Sequence, residues 1–441
     1  MRSLAFAVVL FTACGDDGVR HLGDAPLIPD AIIDASLAPV SLKVTFDGVP
    51  RSGVDVYFQD AASTLIAVVP TGTDGVAAAV MEPGGFVTVI DPFAFAGRAP
   101  VAVVRTFAGV KPGDLLLVDA GTAGPPQLTV TLTLPIDSAA SQYDVYTSCS
   151  GKQTLVGAAG SGTDPSGVIY MQGCNGFADV LVQTRDFNGQ PLGWFYHPDL
   201  AVTDQQAITL TDSYATTSTD VTMTFANVPA EYSGISFRNV LVSPRGPVTD
   251  GMFATDVTSG TATQTFSRPP VTNAVSVFAI RPTPTNAVGS HTVVQWGPPS
   301  MLAVDLAGAL LPLYATVPAF APATRAMAWT AGVGATPDFV IAEVRAARFT
   351  APPNSAWRWR IVAPYATTIA LPVLPAAVSE YNIVEGDNPS VEELTTAKVP
   401  GGYDAVRPRL HDLRTPEELE GFVTGATGRI VYETLDRRLQ R

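Results

Sequence analysis

Charge is scarce in this chain, and that scarcity excludes several functions. Charged residues make up 15% of the 441 positions, and lysine occurs only at Lys43, Lys111, Lys152 and Lys398. With a net charge of −14 and scattered arginines, the chain lacks the clustered cations that displace counterions from nucleic acid, so no nucleic-acid partner is expected. Histidine is equally sparse. His21, His197, His291 and His411 share no HxxxH or HExxH spacing, so no zinc site is expected, and nothing calls for a cofactor. Gly160-Ser161-Gly162 lacks the outer glycines of a nucleophile elbow, because Ala159 holds one of their places, and no glycine-rich phosphate loop occurs. No DxDxDG calcium loop is present, which leaves only scattered turn acids for that ion.

Apolar residues reach 46%, with 38 Gly and 37 Pro. A disordered chain shows the reverse balance. Abundant Thr, Val, Gly and Pro with few strong helix formers point to short strands joined by turns. The length suits three or four domains.

The N-terminus sets the expected compartment. Met1-Arg2-Ser3 precedes an apolar stretch from Leu4 to Phe11, then Thr12-Ala13-Cys14-Gly15-Asp16-Asp17. A basic start, a short apolar run and small residues before a break make a secretory signal, too short to span a bilayer as a helix. Leu10-Phe11-Thr12-Ala13-Cys14 resembles the lipobox of a bacterial lipoprotein, with Phe11 where leucine is usual. The resemblance implies cleavage after residue 13 and lipidation of Cys14. Each buried methylene of the acyl chains contributes about 0.8 kcal/mol, so several chains on one cysteine hold firmly. Gly15 after the cysteine implies the outer rather than the inner membrane. Residues 14–39 carry Asp, Pro, Gly and Ala without periodicity and read as a tether.

With Cys14 modified, Cys149 and Cys174 form an even pair in an oxidising space. A disulfide between them closes a loop of roughly 26 residues, for which chain entropy gives about 3.5 kcal/mol. Two free thiols or half of a metal site are the alternatives.

Internal similarity supplies the organisation. Thr45-Phe46-Asp47-Gly48-Val49-Pro50 returns as Thr224-Phe225-Ala226-Asn227-Val228-Pro229, two periods of about 90 residues later, with Thr131-Leu132-Thr133-Leu134-Pro135 between. Met81 with Gly85-Phe86-Val87-Thr88-Val89 returns as Met171 with Gly176-Phe177-Ala178-Asp179-Val180. Phe266-Ser267-Arg268-Pro269-Pro270 is echoed by Phe349-Thr350-Ala351-Pro352-Pro353. Leu128, Val130, Leu132 and Leu134 alternate with threonines, the period of a half-buried strand. The expected fold is all-β: a tandem array of about four Ig-like sandwiches over residues 40–122, 126–213, 219–308 and, most divergent, 324–400. A signal at 1–13 and the tether precede them. Residues 306–324 are uncharged but broken by Pro312, Pro318 and Pro322, so an extended linker is expected there. Residues 401–441 are expected as a tail, with a short helix at Thr415-Pro416-Glu417-Glu418-Leu419.

The first unit is similar to carboxypeptidase-regulatory-type domains. Gly53-Val54-Asp55-Val56-Tyr57-Phe58, then Thr71-Gly72-Thr73-Asp74-Gly75, then Pro83-Gly84-Gly85-Phe86-Val87-Thr88-Val89 follow in that family's order. The resemblance covers about a fifth of the chain and implies a non-catalytic sandwich.

Trp357-Arg358-Trp359-Arg360 places both tryptophans on one strand face and both arginines on the other. Either the rings lie in the core with solvated arginines, or Trp357 and Trp359 form an exposed platform for a ligand. The functional expectation is a non-enzymatic cell-envelope lipoprotein, held to the membrane by its N-terminal lipid, serving as a spacer or as a module that binds polysaccharide or protein. The alternative is a carbohydrate- or peptide-processing envelope enzyme whose catalytic acids lie far apart in sequence.

Overall fold

Alternation builds the strands. In Val40–Phe46, Val40, Leu42 and Val44 are buried while Lys43 points outward. In Gln127–Thr133, Val130 and Leu132 are wholly buried between half-exposed threonines. The computed structural model describes residues 38–46, 48–93, 101–119, 127–149, 151–156, 165–174, 176–249, 251–271, 275–284, 290–297, 301–307, 310–349, 355–410 and 429–436. The fold is an all-β, multi-domain array of sandwiches, with isolated short helical segments. The signal, Cys14 and the tether up to residue 37 lie outside the described residues.

The first three sandwiches share one plan. In each, the opening strand pairs in parallel with the closing strand: Val40–Phe46 with Leu115–Asp119, Gln127–Thr133 with Gln206–Thr209, and Thr219–Ala226 with Met301–Asp305. Opposite lies a four-strand antiparallel layer, which in the first unit runs Leu65–Pro70, Asp55–Gln59, Gly85–Phe93, Val101–Val110. The repeated methionines, Met81 and Met171, sit in corresponding cores. The Phe266 and Phe349 echoes do not correspond: Phe266 lies on strand Ala262–Arg268, whereas Phe349 follows strand Phe339–Arg348 and is exposed. At the Asp74-Gly75 turn, Asp74 Oδ1 accepts from the Val76 amide at 3.0 Å. Gly75 has φ +78°, and a Cβ there would lie 2.6 Å from the Val44 carbonyl oxygen, so only glycine fits.

The sandwiches are not beads on a string. Antiparallel layers of the first, third and fourth units join edge to edge in one 13-stranded sheet. The third unit's edge strand Ser290–Gly297 pairs with Arg429–Asp436, which pairs in turn with Ser390–Lys398 of the fourth unit. On the far side, Ser355–Pro364 of the fourth unit pairs in parallel with Val101–Val110 of the first. The second unit stays outside this sheet, in layers of its own.

Two expectations change here. The segment expected as a tail supplies a strand: Arg429–Asp436 completes the fourth unit, because its backbone satisfies two sheet edges at once. The helix that forms in that segment is Gly402–Val406, while Thr415 to Leu419 lie outside the described residues. Residues 306–324 are not a free linker either. Leu310 and Leu311 are buried in the third core, Tyr314 is buried with its hydroxyl donating to the Leu394 carbonyl at 3.2 Å, and Ala319–Ala321 pairs with Ala326–Ala328. Apolar composition there reflects packing. After Gly402–Val406, Arg407 straps the fourth unit to the first, meeting Asp114 at 2.7 Å and the Gly109 carbonyl at 3.0 Å.

Candidate functional site

The exposed-platform reading of the tryptophans is corrected by the structure. Trp357 and Trp359 are 1% and 0% exposed, packed with Val104, Val344 and Ile361. The parallel pairing with Val101–Val110 places Ala102 and Val104 beside them, and apolar rings enclosed in this way cannot offer a stacking surface. The arginines on the opposite face are not simply solvated. Arg358 is partly exposed, but Arg360 is buried, its Nε 2.8 Å from Glu343 Oε2. Arg360 is in register with Arg105, which lies 3.6 Å from Asp91. A band of ion pairs thus crosses the joint between the fourth and first units.

Cys149 and Cys174 are joined in a disulfide with Cα atoms 5.4 Å apart. His197 sits against Asp212, with Nδ1 3.0 Å from Oδ2, and His291 is buried against the Tyr232 hydroxyl at 2.7 Å. Burial pushes the His291 imidazole down to about 4, so it is neutral at physiological pH. His21 and His411 lie outside the described residues. Among the described residues, no group of three or more His, Cys, Asp or Glu side chains is placed to hold a metal ion.

A concave feature among the described residues lies elsewhere, between the second and third units. Strand period 2 turns Val145, Val180, Val182 and Phe195 into the second core and sends Tyr146, Leu181, Gln183 and Trp194 outward. That outward face meets the third unit through Leu241 and Val248. A hairpin tip locks the contact. Arg245 reaches Asp199 through Nε at 2.6 Å and Asp179 at 3.8 Å, with its guanidinium 4.9 Å from the Phe177 ring centre. Gly246 has φ +142°, and a Cβ would meet the Ser148 carbonyl oxygen at 2.3 Å, so glycine lets the tip press against the backbone beside Cys149. The disulfide therefore braces the surface on which the third unit docks.

Beside this contact a cleft of about 240 Å³ opens, with an adjoining recess of about 110 Å³ that shares Gln183, Pro191 and Arg268. Tyr146, Leu181 and Arg185 form one wall; Asn239, Phe253 and Arg268 form the other. Phe253 and Phe266 stack at 4.1 Å, and Phe237 lies 5.3 Å beyond Phe253. This ring column fixes the third unit's wall. Arg185 donates through Nε to Asp144 Oδ2 at 2.7 Å, through Nη1 to the Gly189 carbonyl at 2.8 Å and through Nη2 to Gln183 Oε1 at 3.0 Å. Arg268 Nη1 donates to Ser276 Oγ and lies 3.5 Å from Asn239 Oδ1. Trp194 Nε1 donates to the Thr217 carbonyl, at the recess. Held polar groups among aromatic rings make a surface that can orient a small polar ligand. None of these residues stood out individually in the sequence. Arg268 lies within Phe266-Ser267-Arg268-Pro269-Pro270, noticed only as a repeat, and its partners across the cleft come from another sandwich.

Burial by itself would raise the Asp144 carboxyl, yet bonds from Lys152, Thr154 and Arg185 hold it below the usual carboxylate value. A depressed native value contributes stability that is complete above the unfolded value near 4 and lost as pH falls through the native one. Asp144→Asn is therefore expected to cost about 1–3 kcal/mol at pH 7 and progressively less as the medium is acidified below about pH 4. Urea unfolding of both proteins at neutral and acid pH measures the difference; a gap that widened in acid would contradict the sign.

No protein-family model matches the chain, and no curated protein does. Solved structures give faint likenesses. The Bacillus anthracis TIE protein is 11% identical with a TM-score of 0.15, covering 61% of this chain and 50% of its own; the chain thus spans about half that protein's length. A putative adhesin from Bacteroides ovatus is 11% identical with a TM-score of 0.18, covering 41% of this chain and 93% of its own. A Streptococcal ancillary pilin is 10% identical with a TM-score of 0.14, covering 60% of this chain and 98% of its own.

Proposed function

We propose that the chain is a non-enzymatic envelope lipoprotein, anchored through Cys14 in the outer membrane, whose sandwich array presents the cleft between its second and third units to an extracytoplasmic ligand. The fused sheet carries this reading. Tandem sandwiches joined only by linkers reorient freely, whereas edge-to-edge hydrogen bonds across two unit boundaries hold the first, third and fourth units at fixed attitudes. Rigidity of that kind serves a spacer that must present one surface. The disulfide suits a chain that matures outside the reducing cytosol, and the Leu10-to-Cys14 motif suits attachment through acyl chains.

Palmitate labelling in a bacterial host tests the anchor. The native chain is expected to take up label and fractionate with the envelope, and Cys14→Ala is expected to lose the label. A native chain that stays unlabelled in the cytosol would overturn the proposal.

A further inference from the structure

One margin of the first sandwich exposes a run of aliphatic side chains. From Ala61 to Met81 the one charged residue is Asp74, in a chain that is 15% charged. This stretch forms strand Leu65–Pro70, which ends the 13-stranded sheet on one side, and strand Val76–Ala79, which lies against it from the opposite layer. Leu65, Ile66, Val68 and, just past the second strand, Val80 are between 42% and 54% exposed. Ala78 is exposed among them. The flanking acids turn away: Asp60 Oδ1 accepts from the Ala62 and Thr64 amides at 2.9 and 2.7 Å, and Asp74 accepts from the Val76 amide. The margin is also held firm. Gln59 Nε2 donates to the Ser63 carbonyl at 2.9 Å and to the Val373 carbonyl of the fourth unit at 2.6 Å.

An exposed edge strand ordinarily invites another strand. This one is built against that. The ladder slips at Ile66, left over between the pairs Phe58–Ala67 and Gln59–Leu65, and Pro70 has no amide to donate. With backbone pairing hindered, the margin offers its side chains. Such a surface suits a partner that needs neither a matching shape nor hydrogen bonds, as the acyl region of a bilayer does not. The path of the chain agrees. The described residues begin at Ala38, and Val40 pairs with Ala79, next to Val80. From Cys14 to Ala38 even a fully extended chain reaches about 85 Å at most. An acyl anchor at Cys14 therefore keeps the margin near the bilayer at an effective concentration of roughly millimolar order, and a contact too weak to act alone then suffices.

We propose that this margin rests on the bilayer that holds Cys14, with Ile66, Val68 and Val80 at its acyl boundary. The inference rests on the lipid-anchor reading above and adds a posture to it. Ten strand spacings separate Leu65–Pro70 from Tyr232–Ser243 in the broad sheet, about 50 Å measured along it. The sheet then stands edge-on from the membrane and carries the third unit, with its cleft, to the far side.

Photolabelling from the lipid tests it. The chain from Cys14 onward is joined through that thiol to a maleimide lipid in phosphatidylcholine vesicles whose acyl chains carry a diazirine. Because Cys149 and Cys174 are joined to each other, coupling falls on Cys14. After illumination, label is expected between Ala61 and Met81, at least about fivefold above that on Gln127–Thr133 of the second unit. Ile66→Glu combined with Val68→Glu is expected to lose that label with an unchanged circular dichroism spectrum. The position of the label on the native chain decides the matter even if the double variant does not fold. Label spread evenly, label centred on another surface such as the exposed Phe187 or Val333, or label unchanged in a folded double variant would each overturn the proposal. So would dimers of the uncoupled chain that the double variant abolishes, since the margin would then belong to a second copy. Because the coupling is chemical, missing label on a coupled chain sinks the membrane contact alone, whereas a Cys14 that takes up no palmitate sinks the reading beneath it.

Discussion

Glu343→Ala is expected to destabilise the protein by about 3–5 kcal/mol, the range for removing one partner of a buried ion pair. The Glu343 side chain is 4% exposed and faces Arg360, itself 7% exposed, at 2.8 Å. Arg358 approaches the other carboxylate oxygen at 3.6 Å. Deleting the carboxylate takes from Arg360 its partner at 2.8 Å and leaves it in register beside Arg105 on the neighbouring strand. Desolvated cations placed side by side repel without water to screen them. The double variant Glu343→Leu with Arg360→Leu is expected to regain most of the loss, since well-packed apolar replacements of buried pairs are often neutral or stabilising. Urea midpoints of the two variants measure both effects. A single variant within about 1 kcal/mol of the native protein would show that the pair is solvated and the joint looser than described.

Trp359→Ala is expected to cost a similar amount, about 3–5 kcal/mol, by leaving a cavity where an indole is fully enclosed. The ring also donates from Nε1 to Thr106 Oγ1 at 3.0 Å, and Thr106 shares a further hydrogen bond of 3.0 Å with Thr88. These bonds run from the fourth unit into the first. Loss of the indole therefore acts on the joint as well as on the core, and amide exchange in Val101–Val110 is expected to accelerate more than exchange in Thr219–Ala226. Equal acceleration in both strands would mean that the damage is global. Trp359→Phe keeps most of the volume and is expected to cost markedly less.

The legible parts of the fold were those written in local pattern. Leu128, Val130, Leu132 and Leu134 between threonines announce a strand, because pleating alternates faces whatever lies around it. Asp74-Gly75 announces a turn that only glycine's backbone freedom allows. The facing of Trp357 and Trp359 follows from the same alternation, but their concealment does not, since it depends on which neighbour covers the sheet. The edge-to-edge fusion left no such trace. Backbone amides of any sequence can pair, so nothing in Ser355–Pro364 names Val101–Val110 as its partner. Glu343 and Arg360 are ordinary charged residues until the ladder brings them together. The cleft was invisible for the same reason: Gln183 and Arg268 belong to different sandwiches, and neither lies in a motif that implies the other.

The placement of Arg429–Asp436 has a kinetic consequence. The strand Arg429–Asp436 lies between Ser290–Gly297 and Ser390–Lys398, so the broad sheet cannot close until the chain has been made through that strand. Contacts so distant in sequence slow the final step, and during that interval two bare strand margins stand open to other chains. Products cut short before residue 429 are therefore expected to clump, since both margins then stay bare.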